Sequence, residues 1–458
     1  MSLFPHDQLS LTQIILYNIV CVLGLLYIYW KSPKTGVAPL IIFMFSGGLF
    51  SDFSSYTFGS NELLNIYKSI VFIWSILLFL INLKSTNSFK KPLLFLSLFV
   101  VYFFAVSFLF HDDNLPLVLS QLSKYISPSF LTIALYEETR RDSSRQIKLY
   151  SLFQRLILLQ ILMAIVKLLV LGSFMEGWVG TITGVRGGGA GTSLPLLGLF
   201  WLLLVSNMKI NTKRIFFAIG LLFIGIMTGK RAVIILFPLL YIFLLLFVSS
   251  YYKKVRNIQY IIPISIIVVG MFYLGLRLIP SFNPENKVWG SFDVKYAYDY
   301  TLEYSTGIDE SGGDLQEGVG RVGGVLLFWN DIKSGVDIDR ILFGLGNEYM
   351  AYADIDDYFN EDYYLGITSR GSVTGVIYIY FTIGLIGVLL LLLFILSWYP
   401  IIKYKRFRYF LLFTVLFDLI FYNAQMIFSI PMFTFLLFIV ISANNSFDRH
   451  GDFIFYDL

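Results

Sequence analysis

The chain is nearly empty of the residue types on which soluble metalloenzymes and disulfide-stapled domains are built. Among 458 residues there is one cysteine and there are three histidines. Cys21 stands alone inside an apolar run, which excludes a disulfide framework and a thiolate metal site. His6, His111 and His450 are scattered without ligand spacing, so no zinc or haem centre is indicated and no cofactor is expected. Charge is scarce as well. Asp, Glu, Lys and Arg make up 14% of the chain, against about 25% in a soluble domain. The net charge of +4 has little meaning in a chain that sorts charge by membrane side, and nothing in it points to a nucleic acid. The short alternating segments of a transmembrane barrel are missing too.

Apolar residues fill the space that these leave. Hydrophobic residues make up 57% of the chain and the mean hydropathy is +0.73. Apolar runs of roughly 20 residues, each long enough to cross a bilayer, recur from end to end. The expected fold is therefore an all-α polytopic membrane protein of about 12–14 transmembrane helices. Candidate spans fall near 12–30, 37–56, 66–83, 92–110, 116–136, 151–172, 190–207, 214–229, 231–250, 260–280, 373–397, 408–424 and 427–442. The first lacks a basic leader and a small-residue cleavage site, so it is expected as a span and not as a signal peptide. The run at 116–136 is interrupted by Lys124 and Pro128 and is compatible with a span or a re-entrant segment.

Lysine and arginine order the connections. Lys31/Lys34, Lys84/Lys90/Lys91, Arg140/Arg141/Arg145/Lys148, Lys209/Lys213/Arg214, Lys253/Lys254/Arg256 and Lys403/Lys405/Arg406/Arg408 mark every second loop. Short basic loops stay cytoplasmic. This puts 51–65, "HDDN" at 111–114, 173–189, "TGKRA" at 228–232 and the segment 281–372 outside, with the N-terminus outside and the C-terminus inside. Three regions follow: transmembrane helices over 1–280, a large external loop over 281–372, and further transmembrane helices with a short tail over 373–458. The loop holds 17 of the 30 carboxylates, six Lys/Arg and 16 aromatics. A stretch of that length between spans is expected to be functional.

Basic residues on the outer side run against the orientation rule, and each has a candidate role. Arg186 in "TGVRGGGAG" precedes three glycines and a span, a setting in which backbone and helix N–H groups approach an anion closely; a flexible turn with a snorkelling arginine is the alternative. Lys230 and Arg231 open a helix where the dipole disfavours a cation, so an anionic partner is expected there, be it a lipid phosphate, an external carboxylate or a structural ion pair. Arg277 sits at the outer end of the tenth span. Arg321 heads "RVGGVLLFWNDI", where Val325, Phe328 and Ile332 share a helical face with it and Trp329 lies beside them. That pattern predicts an amphipathic helix on the membrane surface or packed on the bundle. Arg340 and Arg370 follow. Guanidinium forks match phosphate oxygens, and together these sites favour a polyanion at the membrane surface.

The acids and tyrosines suit a second, sugar-like ligand. "DVKYAYDYTLEY" at 293–304 and "EYMAYADIDDYFNEDYY" at 348–364 mix carboxylates with rings. A solvated acidic cap, or a calcium site at 354–362 without EF-hand spacing, are the alternatives. Glu348, Asp354 and Asp356 are candidate general bases, and Lys230, Arg277, Arg340, Arg370, Trp329 and Tyr349 are candidate substrate contacts. Within the spans Lys167 and Asp418 are costly to bury and are candidates for function. Arg155 lies near a cytoplasmic end, where snorkelling suffices.

Five of these stretches stand in a familiar order: "GVRGGG" with Arg186, "TGKRAV" with Arg231, "GRVGGVLLFW" with Arg321, "ILFGLGNEY" at 341–349 and "YIYFTIGLIG" at 378–387. Over roughly 180–395 the chain resembles the O-antigen polymerase and O-antigen ligase superfamily of membrane glycosyltransferases. The resemblance implies a GT-C-like fold with one large periplasmic loop holding amphipathic helices. It implies metal-independent, inverting transfer of glycan from undecaprenyl pyrophosphate at the bacterial inner membrane, with Arg186, Arg231 and Arg321 holding the pyrophosphate. Donor and acceptor would both be lipid-linked oligosaccharides, and a chain-length regulator is a candidate partner. Ligase members place a histidine after the "GIG" turn. The corresponding stretch here is "GITSRGSVTGV", with Arg370 and Ser372, which favours a polymerase over a ligase acting on lipid A core. A flippase or transporter, expected to carry internal repeats and broken helices, is the alternative from another class.

Overall fold

The computed structural model describes residues 10–54, 62–82, 87–171, 180–183, 272–279, 282–287, 289–306, 321–334, 338–347, 373–402, 405–420 and 427–450, with isolated positions between 194 and 270. Regular structure among them is helical throughout. In chain order the helices are α1 (Leu11–Lys31), α2 (Ala38–Met44), α3 (Gly47–Phe53), α4 (Glu62–Ile81), α5 (Lys90–Leu109), α6 (Leu115–Arg141) and α7 (Ser143–Leu171). After them come α8 (Val294–Thr306), α9 (Arg321–Ser334), α10 (Ile338–Phe343), α11 (Gly375–Ser397), α12 (Lys405–Ile420) and α13 (Ile430–His450). Among the described residues five helices are long and apolar enough to cross a membrane: Leu11–Lys31, Leu63–Ile81, Asn87–Leu109, Ser144–Lys167 and Gly375–Ile401. The runs expected at 190–207, 214–229 and 231–250 lie almost wholly outside the described residues, as does the first part of the run at 260–280.

Sequence chemistry accounts for the helix ends. Ser10 opens α1 with a capping box, its hydroxyl accepting the Gln13 N–H and the Gln13 side chain accepting the Ser10 N–H, which satisfies two otherwise orphaned donors. Asp142 opens α7, accepting the Ser144 N–H at 2.8 Å; hydrogen bonds from Ser144 hold its carboxyl below the usual range. α7 has two faces. Leu158, Leu162, Ile165 and Leu169 are exposed, while Leu156, Gln160, Met163 and Lys167 are buried, the 3.6-residue pattern of a helix between lipid and core.

Basic residues flanking α1, α6 and α7 gather at one end of the bundle. There Arg155 donates to Lys31 O at 3.0 Å, Glu138 accepts the Val37 N–H at 3.0 Å, and Arg145 lies 3.4 Å from Glu138. At the other end Gln13 donates to Val170 O at 3.0 Å. The basic stretches at Lys31/Lys34 and at 140–148 thus share one end, and those at 209–214 and 253–256 lie outside the described residues. A single apolar core runs through α1–α7 and α11–α13, and a small separate one, Leu276, Ile279, Phe282 and Ala297, lies beneath α8.

Two departures from the expected spans matter for the site. The run at 37–56 is not one helix: it breaks at Phe45–Ser46 into α2 and α3. α11 is broken as well, at Ile383 (φ −135°, ψ 16°) and Gly384 (φ 72°, ψ −177°). By contrast the run at 116–136 is one continuous helix of 27 residues, α6, with Pro128 inside it, and not a re-entrant segment. Proline removes one ladder hydrogen bond. Around it Ser129 donates to Tyr125 O at 2.7 Å and Thr132 to Pro128 O at 2.6 Å.

Candidate functional site

The break in α11 is filled by a turn from the polar segment. Gly384 lies nine residues into the helix, roughly 14 Å along its axis at 1.5 Å per residue, near the middle of a hydrocarbon layer of about 30 Å. Backbone groups freed there cannot be left bare. Phe381 O accepts the Leu345 N–H at 2.6 Å and Thr382 O accepts the Gly346 N–H at 3.1 Å. The Tyr102 hydroxyl on α5 bridges Ile383 O and Leu342 O, 2.9 Å from each. The fit requires glycine on both sides. A Cβ on Gly384 would overlap Leu342 O, and one on Gly344 (φ 81°) would lie 2.7 Å from Gly384 N. This is the physical content of "FGLG" and "GLIG".

Above this junction the turn meets the connection between α5 and α6. His111 Nε2 lies 3.1 Å from Phe343 O; a carbonyl only accepts, so Nε2 carries the proton. Asp113 and Asn347 are both buried. The Asn347 N–H faces both Asp113 carboxylate oxygens at 3.0 and 3.1 Å, and Asn347 Nδ2 donates to Asp113 Oδ2 at 2.7 Å and to Ser107 Oγ at 2.8 Å. Phe110 and Phe343 stack with centroids 4.0 Å apart.

The break between α2 and α3 is filled in the same manner by residues 180–183. Thr181 O accepts the Gly48 N–H at 2.9 Å, and a Cβ on Gly48 would lie 2.8 Å from Thr183 O. Gln160 on α7 completes the joint: its Oε1 accepts the Thr181 N–H and its Nε2 donates to Thr181 Oγ1, each at 2.9 Å. Gln160 is eleven residues from the end of α7, roughly 16 Å deep. The segment therefore reaches well into the bundle, three residues before Arg186.

α9 begins at Arg321, as the sequence pattern predicts. Its inner side is narrow: Gly324 lies against Val373 and Ile377, and Phe328 meets Tyr380 edge-on at 4.7 Å. Val322, Val325, Leu326, Trp329 and Ile332 are exposed. The predicted Val325–Phe328–Ile332 stripe is thus split, Phe328 facing the protein and the others facing outward, with the Lys333 ammonium 5.2 Å from the Trp329 ring. Ile377, Tyr380 and Phe381 lie on neighbouring positions of one face of α11, just before its break. α9 thus packs on the first part of α11 and the 342–346 turn seats at the break that follows it, and Arg340 lies in α10 immediately before the turn.

Arg277 is occupied differently. Its Nε donates to Gly290 O at 2.9 Å, its NH1 to the Tyr273 hydroxyl at 2.9 Å, and its guanidinium covers Trp289 at 4.4 Å. Nearby Glu285 accepts the Ser291 N–H and hydroxyl, each at 2.9 Å, which holds its carboxyl below the usual range. Arg277 thereby clasps the loop at 282–291. Arg186, Lys230, Arg231, Glu348, Tyr349, Asp354, Asp356 and Arg370 lie outside the described residues, although the segments leading to Arg186 and Glu348 are anchored by the two joints. Lys167 and Asp418 are buried as expected, and Asp418 accepts the Ile427 N–H at 3.0 Å. Sequence reasoning missed Tyr102, His111, Asp113, Gln160 and Asn347; the polar "HDDN" between two apolar runs was the available signal for two of them. Comparison with models of protein families, with curated proteins and with solved structures finds no match to this chain.

Proposed function

We propose that this chain is a polysaccharide polymerase that joins undecaprenyl-pyrophosphate-linked repeat units on the periplasmic face of the bacterial inner membrane. One observation carries the reading: three stretches of the motif series, far apart in sequence, form one packed unit. α9 with Arg321 and the "FGLG" turn both pack on α11, at Ile377–Tyr380 and at the "GLIG" break that directly follows. In this reading the diphosphate of the growing chain lies against Arg186, Arg231 and Arg321. A hydroxyl of a second lipid-linked unit attacks the anomeric carbon, the carbon–oxygen bond to the diphosphate breaks with inversion, and the leaving diphosphate is stabilised by the guanidinium charges. The hydroxyl proton passes to a carboxylate of the acidic segment, Glu348, Asp354 or Asp356. Neither metal nor organic cofactor enters the scheme.

One observation favours the ligase as second reading. The sequence lacks a histidine after the turn, but the fold brings His111 to that turn from the α5–α6 connection. Broken helices are also what a transporter uses, through unwound carbonyls that coordinate cargo. Here the carbonyls of Phe381, Thr382 and Ile383 accept hydrogen bonds from the protein itself, so the break serves as a seat.

Deletion in the source bacterium, with surface glycan resolved on a gel, separates the readings. A polymerase leaves single repeat units on the core. Loss of all capping, with polymer retained on carrier lipid, identifies the ligase, and accumulation of repeat units on the cytoplasmic side identifies a flippase. Arg186→Ala, Arg231→Ala and Arg321→Ala each abolish polymer under the proposal; full polymer in all three refutes the diphosphate clamp.

A further inference from the structure

We infer that the loop at 282–291 and its exit are a glycan-binding platform, on which the rings of Trp289 and Phe292 each take a pyranose residue of the polysaccharide. The choice of ligand rests on the polymerase reading; the platform itself is geometry. Among the described residues three non-glycines take a left-handed φ, and two of them stand in this loop, Asn286 at 50° and Trp289 at 66°. Asparagine tolerates that region, whereas a bulky aromatic in it is strained. The strain does not serve burial, since Trp289 is 52% exposed. It serves display. The Arg277 guanidinium covers the indole at 4.4 Å and is itself tied to Gly290 O and to the Tyr273 hydroxyl, so the ring is oriented before any ligand arrives. Arg277, expected as a substrate contact, thus acts through the ring it holds. Phe292 is braced from the same support. Tyr273 packs on it at 5.1 Å and Phe272 meets it edge-on at 6.5 Å, yet it is 46% exposed.

A pyranose has an apolar C–H face that packs on an aromatic ring, and a rim of hydroxyls that need polar partners. This loop offers both. Rings fixed in advance lose little freedom on binding. The Glu285 carboxylate, four residues before Trp289, is fixed by the Ser291 N–H and hydroxyl and is an acceptor for hydroxyls. Lys287 and Lys295 are exposed on either side of the two rings and supply donors. A lipid bilayer explains less. An interfacial tryptophan beds its ring at the headgroup level, and needs neither a strained backbone nor a guanidinium on its face to do so.

The test uses glycine. Trp289→Gly removes the ring and the backbone strain together, so a ring kept for a ligand and a ring kept for packing give different results. Full-length protein in detergent is titrated calorimetrically with lipid-free polysaccharide released from the source bacterium and sized to one, two and three repeat units. The wild type is expected to bind. Trp289→Gly is expected to bind about tenfold more weakly or worse, while unfolding at the wild-type temperature or above. Phe292→Ala is expected to weaken binding about three- to tenfold, and Val294→Ser, a change at a similarly exposed apolar position, to leave it as it was. Unchanged affinity in Trp289→Gly overturns the proposal; if that variant does not fold, Phe292→Ala, which leaves the Arg277 clasp intact, decides in its place. A second arm places the protein in vesicles of phosphatidylcholine brominated on its acyl chains. Quenching of the fluorescence that Trp289→Phe removes puts the ring in the bilayer and overturns the platform. The polymerase reading is judged separately, by deletion. If deletion leaves the surface glycan unaltered, that reading falls, and binding that depends on Trp289 still upholds the platform. If the wild type binds no glycan, the platform falls even where deletion abolishes polymer.

Discussion

At the α2–α3 break the inserted segment is held by neutral groups, the Gln160 amide and the Thr181 hydroxyl and backbone. At the α11 break the inserted turn is held by a tyrosine hydroxyl and backbone pairing below, and by a histidine and a carboxylate above. Both solve one problem: a helix broken inside a membrane leaves donors and acceptors that only protein can satisfy. They differ in depth and in charge. The Gln160 joint is made of buried neutral atoms, at a depth where a charge would be penalised. The second spans from the middle of α11 to the α5–α6 connection at one end of the bundle, and its ionisable members His111 and Asp113 sit at that end. The two joints are therefore a fixture and a mount. The first anchors residues 180–183 and the second residues 342–347.

The sharpest way to break this comparison is Gly384→Ala. Gly384 combines φ 72° with ψ −177°, a region open in practice only to glycine and costing about 1–3 kcal/mol for other residues. The added methyl also overlaps Leu342 O, backbone that has no rotamer to escape through. A loss of about 3 kcal/mol or more is expected, read as thermal unfolding in detergent. Wild-type stability would mean that the turn is not seated in the break.

Gln160→Leu probes the fixture. The substitution keeps the volume but leaves the Thr181 N–H and hydroxyl facing an apolar side chain, for an expected loss of about 2–3 kcal/mol. Tyr102→Phe probes the mount with a smaller change. It removes one hydroxyl shared by two carbonyls, and about 1–2 kcal/mol is expected. If Tyr102→Phe proves the costlier of the two, the neutral joint is not the firmer one and the division between fixture and mount fails. Unfolding of both variants in the same detergent gives the ranking.

The helices themselves were legible in the sequence, for a local reason. Apolar length and basic loops predict spans at 12–30, 66–83, 92–110 and 151–172, and the helices run over Leu11–Lys31, Glu62–Ile81, Lys90–Leu109 and Ser143–Leu171. The start of α9 at Arg321 was legible from periodicity. The breaks were not, because their local marks are only glycines, Gly47/Gly48 and Gly384, which spans commonly carry, and no proline stands at 45–46 or 383–384. What stabilises each break comes from a distant stretch, Thr181 for Gly48 and Leu345 for Phe381. "GLIG" was visible as a pattern, but its reason, the interlock of Gly384 with Leu342 O, requires both pieces in place. Asp113 was likewise visible as a polar residue between spans without its partner Asn347.

Arg321 and Phe328 offer the finest test, because they separate what holds α9 from what α9 holds. Phe328 is the aromatic anchor on Tyr380, and Phe328→Ala is expected to cost about 2 kcal/mol from lost burial and ring contact. Arg321 sits at the half-buried head of the helix, and Arg321→Ala is expected to cost less than Phe328→Ala, about 1 kcal/mol, while abolishing polymer. The pair thus pulls stability and activity apart on one helix. Should Arg321→Ala destabilise the protein as much as Phe328→Ala, the guanidinium belongs to the seat of α9, and loss of polymer in that variant no longer speaks for a diphosphate ligand. A stable, inactive Arg321→Ala protein that Arg321→Lys only partly restores is the outcome that a fork-shaped contact to phosphate oxygens requires, since lysine supplies the charge without the fork.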